Sequence, residues 1–349
     1  METTTKIAQW IRPHILEMKA YTSARDTFQE DVDDVVLLDA NENPYQWGYN
    51  RYPDPYQTDL RLYLAARYKL PTNCLMLGNG SDEVLDLLIR ASCEPGKDQC
   101  MILPPTYGMY QVLGDLNQVD LVEVPLDDSF QPNVEAILSG ASAKTKILFL
   151  CSPNNPTGNL MEAKRIEALL NGFDGLVVID EAYIDFADAK SWVQRLGEFD
   201  NLVVVQTLSK AYGMAGLRLG MCYAHPDLIE VLLKIKPPYN INAATQSIAQ
   251  QRLMDQQTLV DQRNRIIMAR EQLYLQLSKI SWVEKVYPSD ANFLLIKVDN
   301  AKLRYAQAME RGFVLRNRHG MYGCDQCLRI SIGTKDENNL LIEQLNQLK

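Results

Sequence analysis

The stretch LVVVQTLSKAYGMAGLRLG, residues 202–220, decides how this chain is read. Four aliphatic residues in a row, three of them valine, favour a strand buried on both faces. The run then breaks into Thr207-Leu208-Ser209-Lys210, a glycine-bearing turn, Arg218 and a second apolar run. A lysine at the end of a buried strand sits where desolvation disfavours its charged form and leaves a nucleophilic amine.

Just upstream, LVVID ends on Asp180 and continues into Glu181-Ala182-Tyr183. A carboxylate at the mouth of an apolar strand is costly unless it meets a cation or hydrogen-bond donors. Asp180 and Lys210 could pair simply as a structural couple, but three further loops carry polar or glycine-rich residues. SPNNPTG (152–158) follows the apolar KILFLC, PPTYGMY (104–110) follows CMIL, and LGNGSDE (77–83) precedes an amphipathic stretch. Glycines before a helix start let the backbone approach an anion, which the free amides favour, and Ser81 is a candidate N-cap. In open α/β sheets ligands bind beyond the carboxyl ends of the strands, where such loops gather.

The surrounding pattern alternates short apolar runs with longer amphipathic ones, which predicts an α/β fold. Expected strands are Cys100–Leu103, Lys146–Cys151, Leu176–Asp180, Leu202–Gln206 and Arg218–Tyr223, in a mostly parallel sheet covered by helices such as Asp82–Ser92 and Met161–Asn171. Beyond Met254 the texture changes to a long polar helix over Gln257–Lys279, with strands at Asn292–Val298 and Cys327–Ile332. At 349 residues the chain exceeds the roughly 250–300 at which single cores stop growing. Two domains are expected: a large one over 42–250, and a smaller α/β one made of 1–41 and 251–349.

Composition narrows the function. A hydrophobic fraction of 46% with 23% charged residues is that of a globular protein. The net charge of −9, from 35 basic and 44 acidic side chains, argues against nucleic acid as a partner. METTTKIAQWIRPHILEMKAYTSARD lacks the apolar core and cleavage site of a signal peptide, and no apolar run reaches the ~18–20 residues of a membrane span. A cytoplasmic location is the expectation. Seven cysteines, with one lone CxxC at Cys324–Cys327, and three scattered histidines suggest reduced thiols and no metal site.

SPNNPTG, DEAY and TLSKAYGMAGLRLG, in that order, resemble the fold-type I pyridoxal-phosphate aminotransferases, and the likeness covers most of the chain. YTSAR (21–25), LDANENPY (38–45), RYPDP (51–55), GNGSDEVLDLLIRA (78–91), PPTYGMY and LRISIGT (328–334) are similar to the histidinol-phosphate aminotransferase branch of that family. The resemblance implies a large domain with a mostly parallel sheet, a smaller α/β domain and pyridoxal 5'-phosphate as cofactor. It makes Lys210 the covalent anchor of the cofactor and the general base and acid. Asp180 would keep the pyridine nitrogen protonated, Tyr183 and Asn154 would bond the 3′ oxygen, and Tyr107 would stack on the ring. The phosphate would rest on the Gly80–Ser81–Asp82 helix start with Ser209 and Arg218 as donors and Thr207 in support.

Tyr52 would reach the cofactor phosphate of a second subunit, so the resemblance implies a homodimer. The family's pattern also often has the Asn155–Pro156 bond cis. For the substrate, Arg329 would clamp the α-carboxylate of glutamate, and Arg316, with Tyr21, Tyr239 and Asn154, would face the variable end. Asn240 and Asn242 are weaker candidates, and RNRHGMYGCDQC (316–327), which contains His319, matches nothing assignable.

The expected reaction interconverts L-histidinol phosphate and 2-oxoglutarate with imidazole-acetol phosphate and L-glutamate. The same fold could instead support an aromatic amino-acid aminotransferase or a threonine-phosphate decarboxylase. A catalytically inactive cofactor-binding regulator is disfavoured by the acidic charge and by the lack of a DNA-binding extension ahead of YTSAR.

Overall fold

The structure, a computed structural model, describes residues 6–22 and 36–348. In chain order its first half contains α1 (Pro13–Glu17), α2 (Thr58–Arg67), β1 (Leu75–Asn79), α3 (Ser81–Ser92), β2 (Gln99–Ile102), α4 (Met109–Leu116), β3 (Asp120–Glu123) and α5 (Val134–Gly140). There follow β4 (Thr145–Cys151), α6 (Ala163–Gly172), β5 (Leu176–Asp180), β6 (Leu202–Thr207), β7 (Leu219–Tyr223), α7 (Pro226–Ile235) and α8 (Ala243–Met254). The last third holds α9 (Gln256–Leu277), β8 (Val283–Val286), β9 (Phe293–Val298), α10 (Ala301–Glu310), β10 (Arg316–Asn317), β11 (Cys327–Ser331) and α11 (Lys335–Asn346).

The large sheet has the order β1-β7-β6-β5-β4-β2-β3. Strands β4, β5 and β6 are buried along their whole length or nearly so, as their unbroken aliphatic runs require. Their side chains alternate between two cores. Leu148, Val177, Ile179 and Val204 join one, while Phe149, Leu176, Val178 and Val205 join the other. Strand β7 runs antiparallel to both β6 and β1, and the remaining neighbours pair in parallel. Leu77–Asn79, expected in a loop, form the end of strand β1. Pairing with β7 satisfies its backbone.

Register brings the site together. Cys151 pairs with Asp180 and Asp180 with Val205, so β4, β5 and β6 end side by side. Because β7 is antiparallel, with Gly220 opposite Thr207, its beginning falls on that same edge and carries Arg218 there. Arg218 itself lies just outside the strand, in left-handed backbone at φ 53°.

The second sheet is antiparallel, in the order β10-β11-β9-β8, and shares a core with α9, α10 and α11 through Leu273, Leu277, Ala301, Ala308, Leu341 and Leu345. Helix α9, 22 residues and hence ~33 Å long, bridges the cores: Leu259 packs into the large-sheet core and Leu273 into the small one. The N-terminal stretch, grouped by sequence with the smaller domain, packs elsewhere. Ile7, Trp10, Ile11 and Ile15 enter the core beneath α3 and α7, and the Arg12 amide donates to Ala91 O at 2.9 Å. Its apolar residues find their burial on the nearest open flank of the large sheet. Among the described residues no helix is long and apolar enough to cross a membrane.

Candidate active site

The strand ends form one cleft lined by Asp180, Tyr183, Thr207, Ser209 and Lys210 on one side. Ser81, Asp82, Tyr107, Asn155 and Arg218 complete its walls. Asp180 is 3% exposed. Burial pushes its carboxyl up to about 6, although the Tyr110 hydroxyl donates to Oδ2 at 2.9 Å and the Ala182 amide to Oδ1 at 3.1 Å. Tyr110 is held by stacking on Phe149, with ring centroids 4.7 Å apart.

Burial lowers the Lys210 amine from the ordinary lysine range, Arg329 adds to this, and Asp180 and Asp82 oppose it. Its Nζ lies over the Tyr183 ring, 5.6 Å from the centroid. The Tyr183 phenol is itself raised by burial and receives a 3.3 Å hydrogen bond from Asn155 Nδ2. These groups sit at adjoining strand ends and are held by their neighbours, so the arrangement is largely preformed.

The corner where the sequence places an anion begins at α3. Its N-cap is Gly80, at φ +82°, with no side-chain cap; Ser81 is the first helical residue rather than the cap. By contrast α8 is closed by Asn242, whose side chain accepts from the Thr245 amide at 2.8 Å. The amides at the start of α3 are therefore left without a side-chain acceptor. Two glycines bring the walls this close. A Cβ on Gly80 would lie 2.7 Å from Arg218 Nη2, and one on Gly220 would lie 2.4 Å from the Ser81 amide nitrogen. Arg218 reaches Asp82 at 3.5 Å, the Tyr107 hydroxyl donates to Asp82 at 3.1 Å, and Thr207 Oγ1 and Ser209 Oγ lie 3.0 Å apart.

Asn154 does not enter the cleft. It is fully buried, donates to Pro105 O at 2.8 Å and Thr157 Oγ1 at 2.7 Å, and accepts from Thr106 at 3.3 Å. Those bonds use its amide to hold two loops together. Its neighbour Asn155 faces the site and also accepts from Arg329 Nη1 at 2.5 Å. Asn155, rather than the expected Asn154, is thus the member of this pair that lines the cleft, and in sequence it stands directly before Pro156-Thr157-Gly158. The Pro104–Pro105, Ser152–Pro153 and Asn155–Pro156 bonds are cis.

The substrate candidates are spread more widely. Arg329 is largely buried against the Phe293 ring, 5.1 Å from its centroid, and Arg316 stands directly across from it in the β10–β11 pair. Tyr52 and Tyr239 stack on each other, centroids 4.4 Å apart, in a separate hollow that does not open on Lys210 of the same chain. Tyr21 is 71% exposed, and residues 23–25 of YTSAR lie outside the described residues. Asn240 ties Glu83 and Leu77 O to the Tyr239 segment and Asn242 caps α8, so both have structural partners. His319 accepts from the Gln326 amide at 3.2 Å in an exposed turn.

This sheet, with its lysine and carboxylate at neighbouring strand ends and a second α/β layer closing over them, defines a fold-type I pyridoxal-phosphate-dependent transferase. The chain belongs to the family described as Aminotransferase class I and II, which matches residues 25–345. It is 52% identical over 338 residues to a histidinol-phosphate aminotransferase of Flavobacterium johnsoniae, covering 97% of each chain. A protein of the same name from Christiangramia forsetii is 51% identical over 343 residues, covering 98% of each. A solved structure of histidinol-phosphate aminotransferase from Sinorhizobium meliloti in complex with pyridoxal-5'-phosphate shares the fold, with a TM-score of 0.78 and 24% identity over 85% of this chain and 82% of that one.

Proposed function

We propose that this chain is a pyridoxal-phosphate-dependent histidinol-phosphate transaminase, exchanging the amino group between L-histidinol phosphate and L-glutamate. Relatives of that name at about half identity over nearly the full length support the substrate. The observation that carries the chemistry is the meeting of a buried carboxylate, a partly desolvated amine and an uncapped helix start at one sheet edge.

The residues fit the cofactor. The glycine-lined start of α3 with Arg218 suits a phosphate, and buried Asp180 suits a pyridinium nitrogen. When bound, pyridoxal phosphate supplies the electron sink that makes a Cα–H bond of the amino substrate acidic. Lys210, its charged form disfavoured, would take the proton from Cα of the amino substrate and deliver it to the cofactor's aldehyde-derived carbon, with the reverse transfer for the keto partner. Tyr183 and Asn155 offer hydrogen bonds to the ring's phenolic oxygen, and Tyr107 offers a flat face beside it. Arg329 binds a carboxylate in a fork that Asn155 orients.

Tyr52, turned away from its own Lys210, is assigned to a second subunit's site, which makes the active form a homodimer. The large and small domains are taken as 42–250 and 251–349, with residues 6–17 belonging to the large one. Absorbance titration of the cofactor-loaded protein tests the reading: both L-histidinol phosphate and L-glutamate should discharge the cofactor's visible band. A band that responds to neither would overturn it.

A further inference from the structure

The ribbon β10–β11 leads into RNRHGMYGCDQC, the segment the function above leaves unused. Arg316 lies directly opposite Arg329, and opposed residues point to the same face. The Arg318 amide continues the pairing by donating to Cys327 O at 2.9 Å. Two residues along an extended strand return a side chain to the same face, so Arg318 joins Arg316 and Arg329 there. The other face carries Leu328, fully buried in the small-domain core.

Three guanidinium groups thus share one surface, and among the described residues none of them pairs with a carboxylate in a salt bridge. Arg318 Nε and Arg329 Nε are both buried N–H groups without an acceptor. Among the described residues the Arg318 side chain makes one hydrogen bond, from Nη1 to the weak acceptor Met321 Sδ at 3.8 Å. Burial and then the charges of Arg329 and Arg316 push its guanidinium down to about 10, opposed by the thiol of Cys324 and the phenol of Tyr183. Arg329, on the same ribbon face, bonds Asn155 of the cleft. A half-buried cation among cations, with an orphaned donor, is costly unless an anion arrives.

Counting charges identifies the anion. Glutamate brings two carboxylates of one charge each, one for Arg329 and one for a second guanidinium. L-Histidinol phosphate has no α-carboxylate; its one anionic group is a phosphate monoester with up to two charges and three acceptor oxygens, enough for more than one guanidinium. We propose that Arg318 is a second phosphate-binding guanidinium beside Arg316, selecting a phosphorylated substrate tail over an uncharged one. This rests on the function proposed above and names the residue that sets its substrate class.

The test compares kcat/KM for L-histidinol phosphate and L-histidinol in wild type and Arg318→Gln, both cofactor-loaded. The phosphate-to-alcohol ratio should fall about 10- to 100-fold in the variant, the worth of one charge-assisted hydrogen bond. A fall below about fivefold overturns the inference, since general damage to the fold lowers both substrates alike and leaves the ratio intact. A wild type that shows no preference for the phosphate ester would instead sink the proposed function itself. The variant's thermal midpoint without substrate should hold or rise; a drop of several degrees would show that Arg318 braces the fold instead.

Discussion

Asp180 and Glu181 are neighbours in sequence, both buried and both carboxylates, yet they face opposite sides of the large sheet. Asp180 meets Tyr110 on the α3–α4 side and opens on the cleft with two protein donors. Glu181 turns to the other core and accepts from Ser191 Oγ at 2.5 Å, the Trp192 amide at 2.7 Å and Gln206 Nε2 at 2.8 Å. Burial raises both, Asp180 to about 6 and Glu181 to about 7. A perturbed carboxyl therefore does not by itself mark chemistry. What separates the two is that Asp180 retains a route to a ligand, whereas Glu181's acceptors are taken up by the protein.

The comparison can be broken most sharply at Lys210. Lys210→Ala should lower turnover by roughly 10²–10⁴-fold, the worth of a positioned general base, and abolish the visible absorbance of the bound cofactor. Retention of both would remove the cleft from the reaction. Asp180→Asn keeps the shape but not the charge and should cost on the order of 100-fold in kcat, as loss of one preorganised electrostatic partner does. Its thermal midpoint should stay near wild type, and a large drop would place Asp180 with Glu181 as a structural group.

Glu181→Gln is the converse: it sets an amide against donors and should lose ~1–3 kcal/mol of stability in denaturant unfolding while kcat/KM changes little. A steep fall in kcat would show the two sides of the sheet to be coupled. The adjacent asparagines repeat the contrast more mildly. Asn155→Ala should lower kcat about tenfold and move the pH at which the cofactor band changes, whereas Asn154→Ala should register mainly as a loss of about 1–3 kcal/mol in stability.

The smallest effect concerns pH. Glu181's folded carboxyl lies above its ordinary 4.5, so the folded protein binds the proton more tightly than the unfolded chain. Its contribution is fully present below pH 4.5 and is lost as pH rises toward about 7. The stability gap between wild type and Glu181→Gln should accordingly narrow across that window. A gap that stays constant or widens would mean that the carboxyl is ionised throughout.

Much of this was legible locally. Apolar runs that stop on Asp180, on Cys151 and just before Lys210 announce buried parallel strands with polar mouths, because a doubly covered strand tolerates charge only at its ends. Arg218 and the glycines at 78 and 80 were legible as features suited to an anion, and the fold brings Gly80 against Arg218. The choice between Asn154 and Asn155 was not, since adjacent side chains point apart and only the loop's path says which faces the ligand. Nor was the placement of residues 6–17, whose apolar side chains would satisfy either domain's surface.

The strand ends that line the cleft and the order of the elements that carry them were readable from sequence alone, because strand burial and turn chemistry are local properties of the chain. Register decided the rest: the alignment of Cys151, Asp180 and Val205, the antiparallel entry of β7, and the crowding of Arg316, Arg318 and Arg329 on one ribbon face. Those contacts join residues far apart in sequence, and only a folded sheet sets their spacing.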